Sequence, residues 1–236
     1  HLGGDYAVLE ERWYQLEDGE PVTEGDMTLR VAKLLKPRLA ALGAEVTLVR
    51  SEPGPVTTRT ADDFRRYASA KLRSGSPEEI RNLSERLFYR TAEIRERARR
   101  VNQEVRPDLV LCLHFNAEAW GDPADPRLID YSHFHILLNG AYMAGEVAHD
   151  DERFEMIRKV LQRTHEEEAS LCGVVAGAFA EESALPPYTY KRDASALRIG
   201  SSPYLWARNL LANRLYQCPV VFLEPYVMND RTVFQR

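Results

Sequence analysis

Cysteine is scarce in this chain. Cys112, Cys172 and Cys218 are the only three in 236 residues, and no two stand in a C-x-x-C spacing. That argues against a thiolate zinc site and offers no disulfide framework. Cys112 and Cys218 sit in the apolar runs LVLCLHF and YQCPVVFLE, where a thiol packs as a small hydrophobe. Long apolar runs are missing as well: none approaches the roughly 20 residues that a membrane-crossing helix needs. An excess of positive charge is also missing. The net charge is −5 and the basic residues gather mainly on one stretch, which does not favour a nucleic-acid partner. There is no internal repeat and no low-complexity segment. The chain begins HLGG without an initiator methionine. This start predicts a processed protein or a domain of a longer one, with the strand leading into His1 cut away. The length suits one domain, residues 1–236, around one core.

The residues present alternate between two periods. From Thr23, Leu29, Ala32, Leu35, Leu39 and Leu42 recur at helical spacing; Gly43 follows as a C-terminal cap, and Pro37 lies inside the pattern. AEVTLVR (44–50) alternates as a strand does, and Pro53, Gly54 and Pro55 make a loop. Ser76, Pro77 and Glu79 predict a capped start to a long helix reaching about Val105. Its EIRERARR run reads as a solvated, salt-bridged face. LVLCLHF, FHILLNG and CPVVFLE read as strands, the first and last as buried ones. Residues 150–182 are helical in pattern, LPPYTYKRDASALRIG is extended or irregular, and SPYLWARNLLANRLYQ predicts a final helix. Strands alternating with helices imply an α/β fold, a three-layer α/β/α sandwich with a mainly parallel sheet.

In such sheets, function gathers beyond the C-terminal ends of the strands. LVLCLHF ends in His114, with Asn116 close behind, and VVFL ends in Glu224; Glu24 heads the first helix and His1 opens the chain. His114, Glu224, Glu24 and His1 are all side chains of the types that bind zinc or move protons, and the topology carries them to one rim. Each also has a plainer role. A His at a strand end can be a hydrogen-bonded loop residue, Glu24 can complement a helix dipole, and Glu224 can pair with Arg50. His133 and His135 alternate on one strand face, as a second metal site or as packing that lines a cleft. His165 with Glu166–Glu168 reads as a wet helix face. LPPYTY can wall a glycan or peptide groove, or be a surface loop.

His1-Leu-Gly-Gly, Glu24, ALGAEVTLVR, Arg97 with Asn102, LCLHFNA and LEPYVMN together resemble the zinc-dependent N-acetylmuramoyl-L-alanine amidases, in order and rough spacing over most of the chain. The resemblance implies one Zn²⁺ held by His1, Glu24 and His114, with Glu224 as the catalytic residue. It implies hydrolysis of the amide between N-acetylmuramic acid and L-alanine in peptidoglycan or muropeptides, in a periplasmic or secreted setting. An activator protein is a further possible partner. Arg97 and Asn102 match the helix before the His114 strand, where a structural role is expected. The chain departs from the family at Leu2, and at Pro225 and Tyr226, which stand where Gly and Phe are usual. Residues 141–197 are longer than the usual connection and are expected to be a mainly helical insertion flanking the cleft.

Two other classes compete. A histidine at a chain start is also the ligand of a copper-binding histidine brace, but such sites sit on β-sandwiches, not on an α/β chain. A non-hydrolytic relative that binds cell wall or regulates a partner is the other, against which stands the presence of all four site residues. A zinc amidase or peptidase acting on another amide stays open beside them.

Overall fold

The computed structural model describes residues 12–17, 19–190 and 196–235. The chain divides into two compact units, one of residues up to Val105 with Gly121–Pro126, the other of Arg106–Trp120 with Arg127–Arg236.

In the first unit a short antiparallel pair, β1 (Trp13–Tyr14) and β2 (Val22–Thr23), leads directly into α1 (Glu24–Ala41). Thr23 is the N-cap, its hydroxyl oxygen accepting from the Asp26 N–H at 3.1 Å. The other end closes as the sequence predicts. Gly43 takes φ +93°, and the N–H groups of Gly43 and Ala44 return to the carbonyls of Ala40 and Leu39 at 3.0 and 3.1 Å. Only glycine adopts that conformation without strain. Pro37 lies within α1.

AEVTLVR does not become a strand: among the described residues 44–50 pair with no other strand. Alternation supplies a surface, but a strand also needs a neighbour's hydrogen-bonding groups. The helical stretch after α2 (Arg65–Leu72) starts at Ser76, whose hydroxyl accepts from Glu79 N–H (3.2 Å) while the Glu79 carboxylate accepts from Ser76 N–H (2.7 Å). It runs as α3 (Pro77–Leu87) and α4 (Ile94–Arg99), followed respectively by π-helical segments Phe88–Glu93 and Arg100–Val105. The first π segment places Glu93 in the interior, 1% exposed. Its carboxylate accepts from the Val56 and Thr57 N–H groups (2.8 and 3.0 Å) and from Arg97 Nε (2.6 Å). A buried carboxylate is tolerable only when so compensated. Arg97 therefore has a structural partner, and the pair secures the chain just after Pro55.

The second unit is a five-stranded sheet in the order β3 (Val110–Leu113), β7 (Val220–Pro225), β4 (Phe134–Asn139), β6 (Leu205–Arg208), β5 (Ala196–Arg198). The sheet is mixed. β3 and β7 are parallel, as are β4 and β6; β4 runs antiparallel to β7, and β5 to β6. This differs from the mainly parallel sheet that strand–helix alternation suggests. Parallel neighbours need a crossover of about a dozen residues or more, usually helical. β5 and β6 are instead joined by a short turn, and residues 114–133 between β3 and β4 hold no helix. β6 occupies part of the segment predicted as a final helix, leaving only α8 (Leu211–Leu215) helical there. Pairing with β4 and β5 on its two sides outweighs a local helical pattern.

α7 (Thr164–Ser183) covers one face of the sheet. Phe134, Ile136, Leu138, Val221, Leu223 and Leu205 point toward its Cys172 and Ala176 and form the core. Each such buried side chain stabilises by roughly 1.5–3 kcal/mol. Residues 141–197 thus contain α5 (Ala144–Val147), α6 (Asp150–Gln162), α7 and the first residues of β5, and α7 belongs to the core itself. Of the His165–Glu168 run the first three are exposed, but Glu168 is 1% exposed. Its carboxylate sits 3.2 Å from Lys159 Nζ on α6 and accepts from the Val220 N–H at 3.2 Å. Burial pushes the Glu168 pKa up, with Lys159 opposing it. No described helix is long and apolar enough to cross a membrane.

Candidate functional site

The face of the sheet away from α7 carries different chemistry. Side chains alternate along a strand, so with Phe134, Ile136 and Leu138 toward α7, His135 and Leu137 point the other way. The same holds on β7 for Phe222 and Glu224 against Val221 and Leu223. Parallel β3–β7 pairing aligns Leu113 with Leu223, and His114 N–H continues the ladder to the Leu223 carbonyl at 3.0 Å. His114 and Glu224 therefore occupy adjoining positions at the C-terminal edge of neighbouring strands. The His114 ring is stacked on Phe222, centroids 4.3 Å apart and planes within 13°.

The loops beyond these strands are bound to each other. Asn116 Nδ2 donates to the Glu224 carbonyl (2.7 Å), its N–H donates to the Tyr226 carbonyl (3.0 Å), and its own carbonyl accepts from Met228 N–H (2.8 Å). Asn229, fully buried, accepts from Glu118 N–H (3.1 Å) and donates to the Arg127 carbonyl (3.1 Å). The two asparagines of LHFNA and LEPYVMN thus hold the strand ends in register. Tyr226 takes φ +58°, a conformation that costs a non-glycine residue about 1–2 kcal/mol.

Antiparallel pairing adds what the sequence does not announce. β4 runs against β7, so the start of β4 meets the end of β7, with His135 directly opposite Glu224. His135 Nε2 lies 3.1 Å from Glu224 Oε2, with His135 1% and the Glu224 side chain 20% exposed. The same nitrogen is 3.1 Å from the Tyr190 hydroxyl. Tyr190 stands edge-on to Trp206, centroids 5.1 Å apart. Burial, and next the charge of Glu224, push its phenol up to about 12, so the hydroxyl stays protonated. His133, the other member of the SHFH pair, lies 3.7 Å from Glu118 Oε1. Burial, then the neighbouring His135, hold the His133 pKa below the ordinary histidine value, against the pull of Glu118 and Glu224.

Glu24 belongs to the first unit. It opens α1 with 1% exposure, and Arg12 Nε lies 3.7 Å from its Oε2. A carboxylate so buried is supported by that guanidinium and by the positive end of the helix dipole. His1 lies outside the described residues. Among the described residues no group of three or more His, Cys, Asp or Glu side chains is arranged to hold a metal. The partners of the two histidines of SHFH are Glu224, Glu118 and the tyrosines. The LPPYTY segment supplies two of the rings: Tyr188 stacks on His135 at 4.9 Å and lies 4.7 Å from His133. No protein-family model matches the chain, and no curated protein matches it.

Proposed function

We propose that this chain is a zinc-dependent hydrolase that cleaves the amide between the lactyl group of N-acetylmuramic acid and the L-alanine of the stem peptide in peptidoglycan. The observation that carries the proposal is the pairing of β3 with β7, which sets His114 beside Glu224 at one strand edge, on the face opposite the α7 core. Sequence motifs in the order of the amidases support it independently. The proposed zinc ligands are His1, Glu24 and His114, and two imidazoles with one carboxylate suit a catalytic zinc that keeps one position open. When bound, Zn²⁺ supplies a Lewis acid that polarises the scissile carbonyl and makes water a nucleophile near neutral pH.

Glu224 performs the proton work. Its carboxylate accepts a proton from the attacking water and delivers it to the departing amine of L-alanine, so that one group serves both halves of the reaction. The apolar side chains behind it, Phe222 on β7 at 5% exposure and the fully buried Leu137 opposite it on β4, limit the water that would compete for its charge. In this proposal the sheet is the central layer of an α/β/α sandwich, with α7 as one outer layer. The substrate places the chain in the periplasm or outside the cell.

The test is zinc content and release of stem peptide from purified muropeptides, measured on the parent and on His114→Ala. One zinc per chain and release by the parent, with both lost in His114→Ala, is the expected outcome. Stoichiometric zinc in His114→Ala overturns the ligand assignment, and a zinc-loaded parent that releases no peptide overturns the activity.

A further inference from the structure

Hydrolysis as proposed uses Glu224 and leaves His135, 3.1 Å from its carboxylate, and Tyr190, 3.1 Å from His135, without a task. Both are held too firmly to be incidental. His135 is fixed by its strand register opposite Glu224, by Tyr188 stacked on its ring at 4.9 Å and by Tyr190 edge-on at 5.5 Å. A glutamate carboxylate, by contrast, turns easily about its terminal torsion, which is broad and roughly two-fold. The anchor for Glu224 therefore has to come from outside its own side chain.

We infer that His135 is the positioning residue for Glu224, its Nε2–H donating to Oε2 at 3.1 Å and fixing the carboxylate plane at the end of β7, with the Tyr190 hydroxyl completing the clamp. The tautomer follows from the partners. Nε2 carries either a proton or a lone pair, and facing an ionised carboxylate only the protonated form attracts. The Tyr190 oxygen, also 3.1 Å away, takes a share of the same proton. Each time Glu224 gives up its proton it returns to the same orientation. That orientation is the one in which the next water is met.

The consequence for rate rests on the amidase proposal, but the contact does not, and the experiment separates the two. Steady-state release of stem peptide is measured for the parent, His135→Leu, His135→Gln, Glu224→Gln and the His135→Leu/Glu224→Gln double variant. Loss of positioning by about 1 Å costs on the order of 10²-fold, so His135→Leu should lower kcat by about 10–100-fold and leave KM nearly unchanged. His135→Gln, which restores an N–H at about the Nε2 position, should recover most of the rate. In the Glu224→Gln background His135→Leu should cost almost nothing, because no base is left to position. Equal losses in both backgrounds, or a loss confined to KM, overturn the inference. Tyr190→Phe, which keeps the ring, gives a milder loss of the same kind if His135→Leu fails to fold.

Imidazole ¹⁵N NMR reads the contact without turnover. Glu224→Gln should shift the Nε2 resonance of His135 more than that of any other histidine. An unmoved resonance overturns the clamp, whereas a shifted resonance in a parent that releases no peptide supports the clamp and rejects the amidase.

Discussion

The two faces of the five-stranded sheet come from the same strands and differ by one residue of register. Phe134, Ile136 and Leu138 of β4 with Val221 and Leu223 of β7 form a dry interior under α7, whereas His135 and Glu224, on the same strands, meet on the opposite face. The alternation of a strand is enough to sort them. A one-residue slip of β4 would put an imidazole into the α7 core and an isoleucine beside Glu224, so packing on one face fixes the geometry of the other. Even the polar contacts differ in kind. Lys159 and Glu168, 2% and 1% exposed, neutralise each other between helices, while Glu224 keeps 20% of its side chain exposed at the strand edge.

Substitutions can separate the faces. The largest effect is expected from Glu224→Gln, which preserves size and hydrogen bonding but removes the proposed base; peptide release should fall by about 10²–10⁴-fold, read on muropeptides with zinc content unchanged. Next is Phe134→Ala on the α7 side, where the ring stacks on Tyr204 at 4.2 Å and packs on Phe179 at 4.9 Å. Its loss should cost about 3–5 kcal/mol of stability, read by denaturant unfolding.

The smallest effect belongs to His133. Its folded-state pKa is lowered, so the native state holds its neutral form more tightly than the unfolded chain does. Above the unfolded value of about 6.5 both states are neutral and nothing is gained or lost. As the pH falls through that value the unfolded chain takes up the proton first, and stability declines. His133→Phe should remove that contribution, so its Tm should fall less than the parent's between pH 7 and pH 5; identical slopes would show that the imidazole does not titrate differently on folding.

Much of the second unit is legible in the sequence because its strands are short apolar runs with abrupt ends. LVLCLHF, FHILLNG and CPVVFLE yield β3, β4 and β7, and the rule that polar residues gather at strand ends points to His114 and Glu224. Local chemistry is legible too: Ser76 with Glu79, and Gly43 closing α1, depend only on residues a few positions apart. What escapes is pairing. That β4 lies antiparallel to β7 follows from long-range contacts, so His135 facing Glu224 has no signature beyond a histidine alternating in a strand. AEVTLVR and SPYLWAR fail for the same reason from opposite sides. The first has a strand's alternation but no strand pairing among the described residues, and the second has a helical pattern whose Leu205–Arg208 portion two strands claim. Glu168 was hidden in a run of acids, its burial set by Lys159 on another helix.

Turnover per folded molecule, measured beside thermal unfolding on zinc-loaded parent, Glu224→Gln and Phe134→Ala, tests most directly whether one face does the chemistry and the other holds the fold. Glu224→Gln should melt with the parent and release at least about 100-fold less stem peptide, while Phe134→Ala should melt lower and keep its turnover per folded molecule. Near-normal release by Glu224→Gln, or a loss of release in Phe134→Ala as deep as in Glu224→Gln at equal folded fraction, would contradict the account.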